Sequence, residues 1–204
     1  MVISGPIAID SLPPVSWKNG GGITRTLVVE PEGAGLDDFL WRISVAEIHA
    51  SGSFSAFPGV DRTIMLWRGE GVVLRSPAWP EHALTQPWRP FSFRGEEEVF
   101  CELFGGSTED LNLMVRRGAA LAAIHTERRE VRLVPPYDDV AVLCAAERVH
   151  VLLADRPKFA LDVGQFLRIS QLDTEVTLLP EGPMASFVYV TVKLLPVSRR
   201  HPEP

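Results

Sequence analysis

The sequence predicts an all-β protein. Alternating apolar positions recur from one end of the chain to the other. Frequent breaks, from 17 prolines and 16 glycines in 204 residues, cut these runs into short segments, and helical periodicity is nearly absent. Many short strands with regular turn signals indicate a sandwich or a barrel. Ile23 to Val29 alternates first. Trp41, Ile43 and Val45 follow, opposed by Arg42, Ser44 and Ala46, and then Thr63 to Trp67. Val99, Cys101 and Leu103 make the next run, with Val131–Leu133, Phe159–Leu161–Val163, Val176–Leu178 and the long Val188–Val190–Val192–Leu194 series beyond it. Gly35 to Leu40 has the composition for one helical turn. Ser107-x-x-Asp110 resembles a helix-capping box, but Leu111 to Val115 alternates like a strand.

The length suits one large β domain or two small ones sharing a core. A composition shift at Arg116-Arg117-Gly118, followed by the Ala-rich Ala119 to Ala123, divides the chain into 1–117 and 118–197. The polar, proline-ended stretch 198–204 is expected to be disordered. A formal net charge of −6 argues against a general nucleic-acid binder, because phosphate recognition needs a basic surface. Cys101 and Cys144 lie in apolar runs without CxxC spacing, as reduced core thiols do, which fits a cytoplasmic protein. Met1 to Pro14 shows no signal-peptide pattern, and no apolar run reaches the ~18 residues of a membrane span.

Trp17-Lys18-Asn19-Gly20-Gly21-Gly22 is the most unusual stretch. One or two glycines supply the positive φ a turn needs, so a third points to backbone passing close to another group. An aromatic face, a cation and an amide beside bare backbone suit a small-molecule site, although a turn with Trp17 in the core is the competing reading. Neither the phosphate-loop nor the dinucleotide glycine pattern is present. A second such stretch, Gly52 to Arg62, alternates small polar residues with Phe54 and Phe57, and a Pro58-Gly59 turn then delivers Asp61-Arg62 to a strand.

Trp17 to Arg25, Trp41-Arg42-Ile43-Ser44-x-Ala46, Gly52 to Arg62 and Asp110-Leu111-Asn112 together resemble the HutD/Ves family, four blocks in the family's order. The resemblance is strong over about the first 117 residues. It implies a bicupin, two antiparallel jelly-roll (double-stranded β-helix) halves in one chain. It also implies a role as sensor or regulator: HutD proteins accompany bacterial histidine-utilisation genes and are thought to sense an intermediate such as urocanate or N-formylglutamate. The Ves branch is associated with stress or cold response. The metal-binding cupin spacing Gly-x5-His-x-His-x3-Glu-x6-Gly, laid on Gly52, puts Pro58, Val60 and Ile64 at the ligand positions and Gly71 at the closing glycine. The five histidines are scattered, so no metal or other cofactor is expected.

Period-2 geometry places Arg42 with Ser44, Arg62 with Ile64 and Leu66, and Arg25 with Ile23, Leu27 and Val29. An arginine facing a core needs a buried partner. That partner is either an internal carboxylate (Asp61, Glu47, Glu102 or Asp110) or an anionic ligand held bidentately. Trp17, Lys18, Asn19, Arg42, Ser55, Phe57 and Arg62 are therefore expected to form one small-carboxylate site, with Phe54 as a further wall. The alternative is a cofactor-independent isomerase or hydrolase using Lys18, Glu47 or Asp61 as acid or base. A homodimer is expected over a monomer, on the reasoning that the long strand Val188 to Leu194 exposes an edge.

Overall fold

A computed structural model describes residues 1–154 and 156–196; the 198–204 tail lies outside them. Among the described residues, nineteen strands and one 3-10 turn, Ile9–Ser11, make up the regular structure. In chain order the first half carries β1 (Val2–Ala8), β2 (Val15–Ser16), β3 (Gly22–Glu30), β4 (Trp41–Ile48), β5 (Gly52–Ser53) and β6 (Val60–Arg68). It continues with β7 (Val72–Ser76), β8 (Trp79–Leu84), β9 (Phe91–Arg94), β10 (Phe100–Leu103) and β11 (Thr108–Arg116). The second half carries β12 (Ala120–Glu127), β13 (Val131–Leu133), β14 (Tyr137–Ala146), β15 (Val149–Leu153) and β16 (Phe159–Leu161). It ends with β17 (Gln165–Leu172), β18 (Val176–Pro180) and β19 (Ser186–Leu194). Gly35 to Leu40 forms turns rather than a helical turn, and of the capping-box residues Asp110 falls on β11 while Ser107 immediately precedes it. No helix among the described residues is long and apolar enough to cross a membrane.

Four antiparallel sheets stack in layers. A six-stranded sheet, β2-β3-β4-β11-β6-β9, faces the four-stranded β5-β10-β7-β8 and forms one barrel. A five-stranded sheet, β1-β17-β14-β19-β12, faces β13-β18-β15-β16 and forms the other. The alternation of each strand decides which side it buries. Trp41, Ile43, Val45, Met65, Trp67, Leu111 and Leu113 point from the six-stranded sheet into a cluster shared with Leu143, Phe166, Val188 and Val190 of the five-stranded sheet. The two large sheets therefore meet back to back through one apolar layer. Each fully buried side chain there stabilises the fold by about 1.5–3 kcal/mol. Separate cores fill the barrels, Ile64, Leu66, Leu74 and Cys101 in the first and Val140, Val151, Leu167 and Leu178 in the second.

Three features depart from the sequence reading. The first strand pairs not within residues 1–117 but with β17, Val2 opposite Ser170. β19 is an interior strand between β14 and β12, so Val188 to Leu194 exposes no edge and the stated reason for a dimer does not hold. A bulge between Thr26 and Val28 breaks the alternation of β3. Leu27 and Val28 consequently both meet the inter-barrel core, while Val29 turns inward towards Phe39 and Met114, away from the face of Arg25.

Candidate functional site

The inner face of the six-stranded sheet is polar where the rest of the barrel lining is apolar. Strand register arranges it in rows. Met114 of β11 lies opposite Arg42 of β4 on one side and Arg62 of β6 on the other, and Phe93 of β9 continues the row. Asn112 lies between Ser44 and Ile64 in the next row, and Asp110 between Ala46 and Leu66 in the third. Both arginines thus stand at one level of the barrel, on the face that period-2 geometry assigns them.

Their surroundings differ. Arg42 is held by neighbours: Nη2 donates to Thr26 Oγ1 at 2.7 Å and Nη1 donates to Ser44 Oγ at 3.1 Å. Arg62 is only 6% exposed, yet among the described residues it forms no salt bridge, and its Nε is buried without a hydrogen-bond partner. Three aromatic rings surround its guanidinium instead, with centroids at 5.1 Å (Phe54), 5.6 Å (Phe57) and 5.0 Å (Phe93). Burial pulls the Arg62 guanidinium down to about 10; the attraction of Asp110 opposes this and the repulsion of Arg42 adds to it. Asp110, 1% exposed, is pushed up to about 7 by burial, against the pull of Arg62 and of the Ala46 backbone N–H. Its Oδ1 and the Oδ1 of Asn112 are also buried without partners. Two guanidinium groups against one half-neutralised carboxyl leave the barrel interior with an excess of positive charge.

Of the sequence-predicted residues, Trp17, Arg42, Phe57 and Arg62 come together around this interior. Trp17 packs edge-on against Phe54, centroids 6.4 Å apart, and its Nε1 donates to Thr24 Oγ1 at 2.7 Å. Lys18, Asn19 and Ser55 are exposed. Asn19 Oδ1 accepts the Gly21 N–H at 3.0 Å, a bond internal to its own turn. The glycine run has a structural account. Gly20 takes a positive φ of 71°, and a Cβ on Gly22 would collide with the Glu47 carbonyl and press on the Trp17 ring. The close approach inferred from the third glycine is therefore to the neighbouring strand. Of the internal carboxylates proposed as arginine partners, Glu47 pairs with Arg25 at 3.7 Å, as that reading allows, while Asp61 pairs with Arg117 at 2.9 Å and Glu102 with Arg75. Asp110 alone shares the interior with Arg62.

Asn112 and Phe93 were missed as lining residues. Asp110-x-Asn112 and Phe91-x-Phe93 carry the alternation that would have placed them. A depression of about 590 Å³ on this half lies outside the polar face and is lined by Phe54, Ala56, Arg75, Glu97, Val99 and Phe100 among others. Phe54 belongs to both, with Arg62 beside its ring. The buried unpaired charge marks the site better than the depression, because an open groove with its arginine already paired needs no ligand.

Two barrels of this kind, back to back, define a bicupin. The positions that hold metal in metal-binding cupins are Pro58, Val60 and Ile64 here, none with a side chain that can ligate, so these residues do not fit a metal. A cupin conserved barrel domain protein from Leptotrichia buccalis shares the fold, with TM-score 0.61 and 11% identity over 95% of this chain and 98% of that one. The HutD family model matches residues 10–185, and the chain belongs to the HutD family. It is 35% identical to an uncharacterised 21.2 kDa protein in the hutC 3′ region of Pseudomonas putida, over 83% of this chain and 88% of that one. It is 38% identical to protein Ves of Citrobacter koseri over 59% of this chain and 62% of that protein. The structure of HutD from Pseudomonas fluorescens, in a formate condition, superposes with TM-score 0.82 at 27% identity, covering 96% of this chain and all of that one.

Proposed function

We propose that the first barrel binds a small carboxylate metabolite between Arg62 and Arg42, and that the bound state is a regulatory signal linked to histidine utilisation or to a Ves-like stress response. The observation that carries this reading is Arg62, a buried guanidinium that forms no salt bridge among the described residues. An unpaired buried charge costs several kcal/mol, and a bidentate carboxylate offsets that cost with two charge-assisted hydrogen bonds. Arg42, fixed by Thr26 and Ser44, supplies a second positive group already in place. Phe54, Phe57 and Phe93 give the apolar walls that small-ligand sites require. Phe54 both faces the Arg62 guanidinium and lines the outer depression. Free, buried Cys101 and Cys144 support a cytoplasmic location.

Calorimetric titration with urocanate, N-formylglutamate and formate tests this reading. Binding in the wild type and a loss of about ten- to a hundredfold in Arg62→Ala are expected. Unchanged affinity in the variant would defeat the assignment. A sensor returns its ligand unaltered, so proton spectra of the acids are expected to stay constant over hours with the protein present.

A further inference from the structure

The second barrel repeats the strand order of the first. The orders β4-β11-β6-β9 and β5-β10-β7-β8 recur as β12-β19-β14-β17 and β13-β18-β15-β16, so β19 stands where β11 carries Asp110 and Asn112. Its inner face is polar too. Tyr189 of β19 lies between His125 of β12 and Val142 of β14, and Thr191 lies between Ala123 and Val140 in the next row. An apolar cluster fills the rest of that barrel. The His125 ring stacks on Tyr189, centroids 4.6 Å apart and 16° from parallel, and Thr191 Oγ1 lies 3.5 Å from His125 Nε2. One row further, in the other direction, Glu127 stands opposite Phe187. Among the described residues no strand pairs with the outer side of β12. Leu121 and Ala123, on the face of His125, are exposed and His125 is half-buried, so solvent reaches these rows.

The charge on this face is opposite to that of the first barrel. Its rows hold no guanidinium. Half-buried Glu127 is their carboxylate; Arg128 and Arg129 beside it are exposed, and Arg132 pairs with Glu130 at 2.9 Å. Lys193 stands three rows from Glu127, about 20 Å along the strand and too far to neutralise it. Burial holds the His125 imidazole below its ordinary value, against the pull of Glu127, so the ring is neutral at pH 7 and keeps a nitrogen that accepts. Burial pushes the Tyr189 phenol up, and Glu127 and Tyr137 add to this, so the phenol keeps its proton. A carboxylate, an uncharged imidazole and two hydroxyl oxygens all accept hydrogen bonds, and an ammonium brings three donors and no acceptor. Aromatic faces attract the same charge. We propose that the second barrel carries a binding site of its own, at its β12–β19 end, and that this site takes an organic ammonium group held by the Glu127 carboxylate against the His125–Tyr189 pair. The site is independent of the carboxylate reading for the first barrel, and an anion that suits Arg62 is repelled here by Glu127.

The test titrates the full chain with three probes of one shape and different charge: 2-phenylethylamine, a cation at pH 7, 2-phenylethanol and 3-phenylpropanoate. Backbone amide NMR reports both the affinity and the place. The amine is expected to shift the signals of Ala123, His125, Glu127, Tyr189 and Thr191, and to bind about tenfold or more tightly than the alcohol. The propanoate is expected to leave these five signals in place. Glu127→Gln is expected to bring the amine down to the affinity of the alcohol. Amine and alcohol binding within twofold of each other, or an amine that moves no signal on β12 and β19, would overturn the proposal. So would amine affinity unchanged in Glu127→Gln. The comparison of the three probes on the wild-type protein decides the matter even if the variant fails to fold, and a first barrel that binds no acid leaves this result untouched.

Discussion

Replacing Arg62 by methionine separates a binding residue from a structural one. Methionine keeps an unbranched stem among Phe54, Phe57 and Phe93 and adds a sulfur that aromatic edges accept. Burial pulls the guanidinium down to about 10, so the interior tolerates its charge poorly, on the order of 3 kcal/mol. This figure already includes the attraction of Asp110. Three cation–π contacts at about 0.5–1 kcal/mol each return roughly 2 kcal/mol of it. Asp110, already pushed up to about 7, takes a proton when its neighbour is removed and stays neutral. Arg62→Met is therefore expected to gain about 1 kcal/mol without ligand, a rise of about 2–4 °C in Tm for a chain of this size. Breaking a structural buried ion pair would instead cost about 3–5 kcal/mol and lower Tm by about 6 °C or more. Differential scanning fluorimetry with and without urocanate or N-formylglutamate reads both quantities. Higher intrinsic stability together with loss of the ligand-induced shift is the expected pair of results. A large drop in Tm would refute the reasoning.

Gly22→Ala is expected to cost about 1–3 kcal/mol, because the added Cβ meets the Glu47 carbonyl across the strand pair; a neutral effect in urea unfolding would remove the packing account of the glycine run. Asp110 has a folded-state value raised from 3.8 to about 7, so between about pH 4 and 7 the folded state holds a proton that the unfolded chain releases. Its contribution to stability is accordingly greatest at acid pH and declines as pH rises through 7. Asp110→Asn, with Arg62 and Cys101 the charged or titratable groups that couple to this carboxyl, is expected to flatten Tm against pH over that window, and parallel curves for the two proteins would overturn the assignment. Val188 to Leu194 is interior, whereas Ala120–Glu127, at one end of the five-stranded sheet, is an edge strand. A dimer, if formed through it, gives twice the 22.5 kDa chain mass by light scattering; a monomeric mass at micromolar concentration removes the dimer.

Alternation alone was enough to put Arg42 and Arg62 inside the barrel, because β4 and β6 run without a bulge through these positions. The same rule failed for Arg25 and Val29, where the bulge at Thr26 to Val28 inverts the pattern, and nothing in that run of Thr, Leu and Val announces it. Pairing of the first strand with β17 joins residues about 170 apart, Val2 with Ser170, a contact that no local pattern encodes. Lys18, Asn19 and Ser55 were grouped with the site through their sequence neighbours Trp17 and Phe54. A turn residue next to a lining residue points to solvent as readily as inward, and these three do. Asp110 entered the sequence reading as one of four possible arginine partners and Asn112 only as part of a family block. Only the register of β11 between β4 and β6 shows that both acceptors share a closed interior with two arginines.

A crystal structure grown with N-formylglutamate or urocanate is the most direct test of a carboxylate site at Arg62. The account predicts a carboxylate with both oxygens about 2.7–2.9 Å from the Arg62 guanidinium nitrogens, inside the ring of Phe54, Phe57 and Phe93. A ligand seated instead in the outer depression beside Arg75 and Glu97, with the barrel interior unchanged, would contradict it.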